Sequence, residues 1–150
     1  IRCIEISNPT SHEYNICRTW LLPGIMKVLM VNQHKDYPQK VFEIGDIIIP
    51  DETAETKTVQ KRKICGVVTY DYANLTEVKS IIETLLNNMG IKYIIRSTVH
   101  PSFINTRVGE IFVNDKPIGF FGEIHPEIIS KWKLEKPVVV FELELNKPTQ

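Results

Sequence analysis

Hydrophobic and polar positions change period several times along the chain, and each change predicts an element. Residues 2–6 alternate as a short strand does, and Asn8-Pro9-Thr10-Ser11 supplies a turn that stops it. Trp20 to Val31 reads as a helix, with Pro23 near the first turn, where a missing N–H costs little. Lys27 is the only charged residue of that run, so the helix is apolar on nearly all faces and calls for cover on nearly all of them. Two readings are open for it, a central core helix and a helix at a subunit interface.

Lys40 to Ile49 reads as a strand, with Gly45 a bulge or a point of close approach and Pro50 its end. Asp51 to Lys63 is charge-rich and poor in large apolar groups, which predicts a solvated, mobile loop before a return strand over Ile64 to Tyr70. The clearest helix follows. Asn74 caps it, Glu77 is placed to complete a capping box, and Gly90 stands at the left-handed C-terminal position. Leu75, Val78, Ile81, Ile82, Leu85, Leu86 and Met89 fall on one face at helical spacing, each contributing roughly 1.5–3 kcal/mol if fully buried, so this helix must lie on a sheet.

Ile91 to Val99 predicts another strand. Glu110 to Val113 and Ile118 to Phe121 predict a hairpin about the turn Asn114-Asp115-Lys116-Pro117. His125-Pro126-Glu127 opens a short helix, and Val138 to Leu145 closes the chain as a strand with Phe141, Leu143 and Leu145 on one face and Glu142 and Glu144 on the other. Strands follow one another mostly through hairpins, which predicts the α+β class with a largely antiparallel sheet flanked by helices.

Composition narrows the function. With 150 residues and 43% hydrophobic content, the chain can bury a substantial core as one unit over residues 1–150. Eighteen basic and eighteen acidic residues cancel, leaving no global field to attract nucleic acid or an anionic membrane. Cys3, Cys17 and Cys65 are odd in number and widely spaced, which argues against a disulfide framework or a structural zinc site and predicts a reducing cytoplasmic setting. Apolar runs are far shorter than the roughly 18 residues of a membrane span, the start carries no signal pattern, and the missing initiator Met predicts a fragment or a processed chain.

Candidate chemistry is sparse. His100, His125, Glu123 and Glu127 are metal-ligating types, yet both histidines precede proline, where capping a turn or a helix start is the better reading. Cys65 lies in an apolar strand and reads as a small buried hydrophobe. The nucleophile-elbow, phosphate-loop and dinucleotide fingerprints are missing, and Gly119 and Gly122 beside Phe120-Phe121 read as close-packing positions. Arg18 and Arg107 are read as members of surface or interface ion pairs.

Taken in order, Asn8-Pro9-x-Ser11, Arg18 through Gly24 (RTWLLPG), Phe42 through Asp46 (FEIGD), His100-Pro101-Ser102-Phe103, Gly119 through Glu127 and Phe141-Glu142-Leu143 resemble the β subunit of phenylalanyl-tRNA synthetase of the archaeal and eukaryotic type, in its C-terminal, catalytic-like part. The resemblance implies a sheet built like a class II aminoacyl-tRNA synthetase core but used as a scaffold. The family is an α2β2 heterotetramer in which the α subunit attaches phenylalanine to tRNA(Phe) with ATP and magnesium. Class II cores hold ATP phosphates with arginines. Here the corresponding first strand reads Phe-Glu-Ile-Gly-Asp, the last arginine is Arg107 and the last glycine is Gly122, so no catalytic, cofactor or metal residue is carried over. The resemblance also implies interface burial for Arg18, Leu21, Leu22, Pro23, Ile25 and Leu29. Two other expectations stand beside this one: a synthetase-derived amino-acid-binding regulatory module, and a metal-dependent hydrolase using His100, His125 and Glu123.

Overall fold

The computed structural model describes residues 3–9 and 15–145. Nine elements follow in the order α1 (Leu22–Asn32), β1 (Gln39–Pro50), β2 (Thr58–Thr69), α2 (Leu75–Asn88), β3 (Ile94–Ser97), β4 (Phe103–Val113), β5 (Lys116–Ile124), α3 (Pro126–Lys131) and β6 (Val138–Glu144). The six strands form one sheet in the order β1-β2-β6-β5-β4-β3, every neighbouring pair antiparallel. The α+β class and the antiparallel sheet are as the hydrophobic pattern predicts. Among the described residues no helix is long and apolar enough to cross a membrane.

The last strand lies inside the sheet, between β2 and β5, and this placement overturns its predicted polar face. Val138 and Val140 join Leu21, Ile25, Met26 and Leu29 of the α1 region in one core, while Val139, Phe141 and Leu143 meet Val78, Ile82 and Leu86 of α2 in a second. A strand covered on both sides buries both its side-chain sets. Glu142 is therefore 0% exposed, in the same layer as Val138 and Val140.

That burial is made tolerable by three donors. The backbone N–H groups of Leu21 and Leu22 donate to Glu142 Oε2 at 2.9 and 3.1 Å, and Lys63 Nζ donates to Oε1 at 2.9 Å. Helix starts carry unpaired N–H groups and a partial positive charge, and α1 has no side-chain cap of its own. A carboxylate from a strand 120 residues later in the chain takes the capping role.

Helix α2 starts and stops as predicted. Asn74 accepts from Glu77 N at 3.2 Å, and Gly90 has φ +67°. The capping box is only half formed, because the Glu77 carboxylate takes Lys40 Nζ at 2.7 Å and Tyr70 Oη at 2.9 Å instead. Of the seven apolar positions, Val78, Ile82 and Leu86 are fully buried while Ile81 and Met89 reach solvent.

Three other expectations change. The charge-rich stretch predicted as a mobile loop is largely strand: β2 begins at Thr58, the connection is residues 51–57, and it is held by Asp51 N to Lys57 O at 2.9 Å and by Thr53 Oγ1 to Asp51 Oδ1 at 2.6 Å. Lys61, Arg62 and Lys63 find carboxylate partners across the sheet in Glu144, Asp46 and Glu142, so the charges that suggested solvation stabilise pairing instead. The second hairpin has longer arms than predicted and a two-residue turn, Asn114-Asp115, with φ of 50° and 59°, the left-handed pair that suits strand twist. Near the start, only the bridge Glu5↔Ile16 forms in place of the predicted strand; Arg2 of that strand, and Thr10 and Ser11 of the turn after it, lie outside the described residues.

Glycines mark where the layers press closest. A Cβ on Gly122 would stand 2.7 Å from Phe103 Cδ1, and one on Gly119 would stand 2.8 Å from Leu143 Cδ2, which fits the close-packing reading of both. Gly45 forms no bulge, since β1 and β2 pair without interruption, but the Arg18 guanidinium lies against it.

Replacing Glu142 by Ala removes the cap of α1 and strands Lys63, and is expected to lower unfolding free energy by about 3–5 kcal/mol, read as a lower midpoint in urea. Glu142→Gln keeps an acceptor for the helix and should lose less. A loss below about 1 kcal/mol for the Ala variant would show that this carboxylate is not what secures the helix.

Candidate functional site

The side of the sheet that carries α1 gathers charged and aromatic side chains along one cross-strand row. Glu43, Cys65, Glu142, Phe120, Glu110 and Arg96 are successive backbone partners on β1, β2, β6, β5, β4 and β3. Most charges in and beside the row are matched. Arg18 Nη1 donates to Glu43 Oε1 at 2.6 Å, Lys63 holds Glu142, and Lys61 Nζ donates to Glu144 Oε2 at 2.8 Å. Arg96 turns to Asp115 at 2.7 Å and lies 4.3 Å from the Phe112 ring centre. The Glu110 carboxylate has no hydrogen bond or ion pair among the described residues.

Two hollows flank Phe120. One, of about 210 Å³, is walled by Trp20, His100, Phe103, Val108, Glu110 and Phe120. Its rings pack on one another: Trp20 lies 6.1 Å from both His100 and Phe120, and Phe103 lies 5.4 Å from His100 and 5.5 Å from Phe120. The other, of about 280 Å³, is lined by Lys61, Lys63, Glu144 and Ile47 and shares Glu110 and Phe120 with the first.

The histidines act as the sequence reading favours. His125 Nδ1 accepts from Glu127 N at 3.3 Å and caps α3, and His100 Nδ1 accepts from Ser102 N at 3.2 Å. An accepting Nδ1 leaves the ring proton on Nε2. The two turns adjoin, with His125 N donating to Ser102 O at 2.9 Å. Glu123 pairs with Arg107 at 2.9 Å. Among the described residues no group of three or more His, Cys, Asp or Glu is placed to hold a metal ion, so the hydrolase arrangement of His100, His125 and Glu123 does not assemble. Cys65 is fully buried, and its thiol is pushed far up, first by burial and then by the Glu142 charge, which keeps it protonated and unreactive. None of the three cysteines is disulfide-bonded.

The residues expected at an interface sit mostly inside. Leu21, Leu22, Ile25 and Leu29 are at most 3% exposed, packed in the chain's own α1-side core, and Pro23 is half-buried. Arg18 spans to β1, donating through Nε to the Asp46 carbonyl at 3.0 Å, while its own carbonyl accepts from Ile48 N at 3.1 Å. Of the two readings of this helix the core one describes these leucines and Ile25. Outward, α1 presents Gly24, Lys27, Val28 and Val31. On the opposite side of the sheet α2 covers β5 and β6, leaving Phe42 and Ile44 of the edge strand 68% and 54% exposed. Sequence reasoning missed Glu142, Lys63 and Glu110; the one available signal was glutamate inside the run Val138-Val139-Val140-Phe141-Glu142-Leu143, too apolar to be a one-sided strand.

These features define an α+β antiparallel-sheet domain with helices on both faces and a charged face largely neutralised from within. The profile of the phenylalanyl-tRNA synthetase beta chain CLM domain matches residues 2–145. A Methanocaldococcus jannaschii protein named phenylalanine–tRNA ligase beta subunit is 48% identical over 143 residues, covering 95% of this chain and 26% of its own length. Proteins of the same name from Pyrococcus furiosus and Pyrococcus abyssi are 44% and 42% identical over 143 residues, with the same coverage. The chain belongs to the phenylalanyl-tRNA synthetase β-chain CLM-domain family. It spans about a quarter of the length of these archaeal relatives. The C-terminal placement expected from the sequence has no support in these matches, which fix the domain family and its share of the subunit and not its position.

Two half-buried carboxylates contribute to the acid response. Asp46 is held below the ordinary 3.8 chiefly by its hydrogen bond from Arg62, and Glu77 below 4.5 chiefly by that from Lys40. Both values are lowered in the folded chain, so the stability they contribute is complete above the ordinary values and is lost as pH falls through the lower folded-state ones. Thermal midpoints should hold steady down to about pH 5 and decline below it. Asp46→Asn should lose part of that decline; an equal decline in this variant would remove Asp46 from the account.

Proposed function

We propose that this chain is a non-catalytic assembly module of the β subunit of phenylalanine–tRNA ligase, one unit over residues 1–150 of a longer subunit. In this reading it keeps the layout of a class II synthetase core and packs against an α subunit. The α subunit attaches phenylalanine to tRNA(Phe) with ATP and magnesium, within a cytoplasmic α2β2 heterotetramer. ATP and magnesium belong to the whole enzyme and not to this segment.

The observation that carries the reading is the fate of the arginines. A class II core needs guanidinium groups free to meet triphosphate. Arg18, Arg62, Arg96 and Arg107, the four arginines among the described residues, each donate to a carboxylate of this chain: Glu43, Asp46, Asp115 and Glu123. Lys61 and Lys63, on the sheet side that carries α1, are likewise taken by Glu144 and Glu142. Cations closed on the chain's own carboxylates in this way support a scaffold, and Phe42, Ile44, Val28 and Val31, among the apolar groups left outside, suit burial against another subunit.

Substitutions test the surface best where they do not disturb the core. In the full-length β chain expressed with α, the double change Phe42→Asp and Ile44→Asp should reduce co-purification of α severalfold and leave the thermal midpoint of β nearly unchanged. Leu22→Asp would instead unfold the α1-side core and cannot separate the two effects. ATP–pyrophosphate exchange by the β chain without α would sink the non-catalytic reading; undiminished capture of α by the double variant would move the interface off this strand.

A further inference from the structure

We infer that the hollow bounded by Trp20, His100, Phe103, Phe120 and Glu110 is a binding site for a small organic cation, an ammonium group carried on an apolar body. Three features of the hollow combine to select this chemistry, and none depends on the assembly reading above.

The first feature is shape and lining. The space is about 210 Å³, enough for a ligand of roughly ten non-hydrogen atoms. Trp20, Phe103 and Phe120 line it beside Val99 and Val108, and the faces of Trp and Phe rings attract a cation through their quadrupoles. The second is Glu110. This half-buried carboxylate lies at the wall between the two hollows, and its neighbours are already committed: Lys63 to Glu142, Lys61 to Glu144, and its cross-strand partner Arg96 to Asp115. The carboxylates of the row are otherwise matched one to one by cations of this chain, and Glu110 is the one left for a cation from outside.

The third feature discriminates among ligands. A free amino acid would bring its own carboxylate next to Glu110, and the adjoining hollow supplies no spare cation to receive it, since Lys61 and Lys63 are both paired. An amine without an acid group matches the site and a zwitterion does not. His100 is held in the wall of the hollow through Nδ1, which accepts from Ser102 N.

The test is calorimetric titration of the full-length β chain, purified with the subunits that accompany it, using benzylammonium at neutral pH, benzyl alcohol as its uncharged isostere and phenylalanine as the zwitterion. Benzylammonium should bind saturably in the millimolar range or tighter, and at least tenfold more tightly than benzyl alcohol. Glu110→Gln should weaken benzylammonium at least tenfold, leave benzyl alcohol unaffected, and leave the thermal midpoint equal or higher, since it removes an unmatched carboxylate. Trp20→Leu should weaken both ligands. Phenylalanine binding should be the same in wild type and Glu110→Gln, which separates any other site for it from this one. No saturation by benzylammonium, equal affinity for the alcohol, or binding undiminished in Glu110→Gln would each overturn the assignment.

Discussion

The structure depends on one carboxylate placed where carboxylates rarely go. Glu142 is fully buried on a central strand, and it joins three parts of the chain that share no local sequence: the first N–H groups of α1, the ammonium of Lys63 on β2, and β6 itself. A buried ion of this kind is tolerated only when both its oxygens are hydrogen-bonded, and here the helix terminus holds Oε2 and the lysine Oε1. No other acceptor caps α1, and the unmatched alternatives, an uncapped helix over a hydrophobic sheet or an isolated charge within it, are both costly. The interaction therefore fixes where α1 lies relative to the strand order.

From this constraint follows the character of the sheet face. With Glu142 committed to α1 and Lys63, the flanking charges settle into matched pairs, Lys61 with Glu144 and Arg18 with Glu43. Cationic groups that a nucleotide-binding face would keep available are here drawn into the protein's own network. The geometry favours rigidity over ligand exchange along β1, β2 and β6, and within the cross-strand row this matching stops at β4, where Glu110 stands unmatched beside aromatic rings. Phe42 and Ile44 on the far side of β1 and Val28 and Val31 on the outer face of α1 do not line the hollow, so the surface suited to a partner chain is distinct from the hollow suited to a small ligand.

Much of this was legible in the sequence because it rests on local rules. Periodicity and end signals located α2 closely, with Asn74 and Gly90 where a cap and a stop belong, and the Asn-Asp turn and both His-Pro starts obey the same short-range chemistry. The alternating run at β1 was recognisable for the same reason. The residues 58–63, in contrast, looked like solvent-exposed loop: a dense set of charges lowers apparent burial, and only the pairing with Asp46, Glu142 and Glu144 from distant positions turns it into strand. The apolar helix at α1 left open whether cover came from this chain or another; the sheet decided that Leu21, Leu22, Ile25 and Leu29 are covered from within.

Most of the helices and strands, the antiparallel class, the capping histidines and the family to which the chain belongs could be read from local sequence, because spacing, turn residues and ordered motifs act over a few residues at a time. Tertiary structure alone decided that the last strand is inserted between β2 and β5, and with it that Glu142 faces inward and Glu110 is left unmatched. Alternation along a strand says which residues share a face, but whether that face meets water or another layer is set by what packs on it, and for Glu142 that is Lys63 and the start of α1, 79 and 120 residues away in the chain.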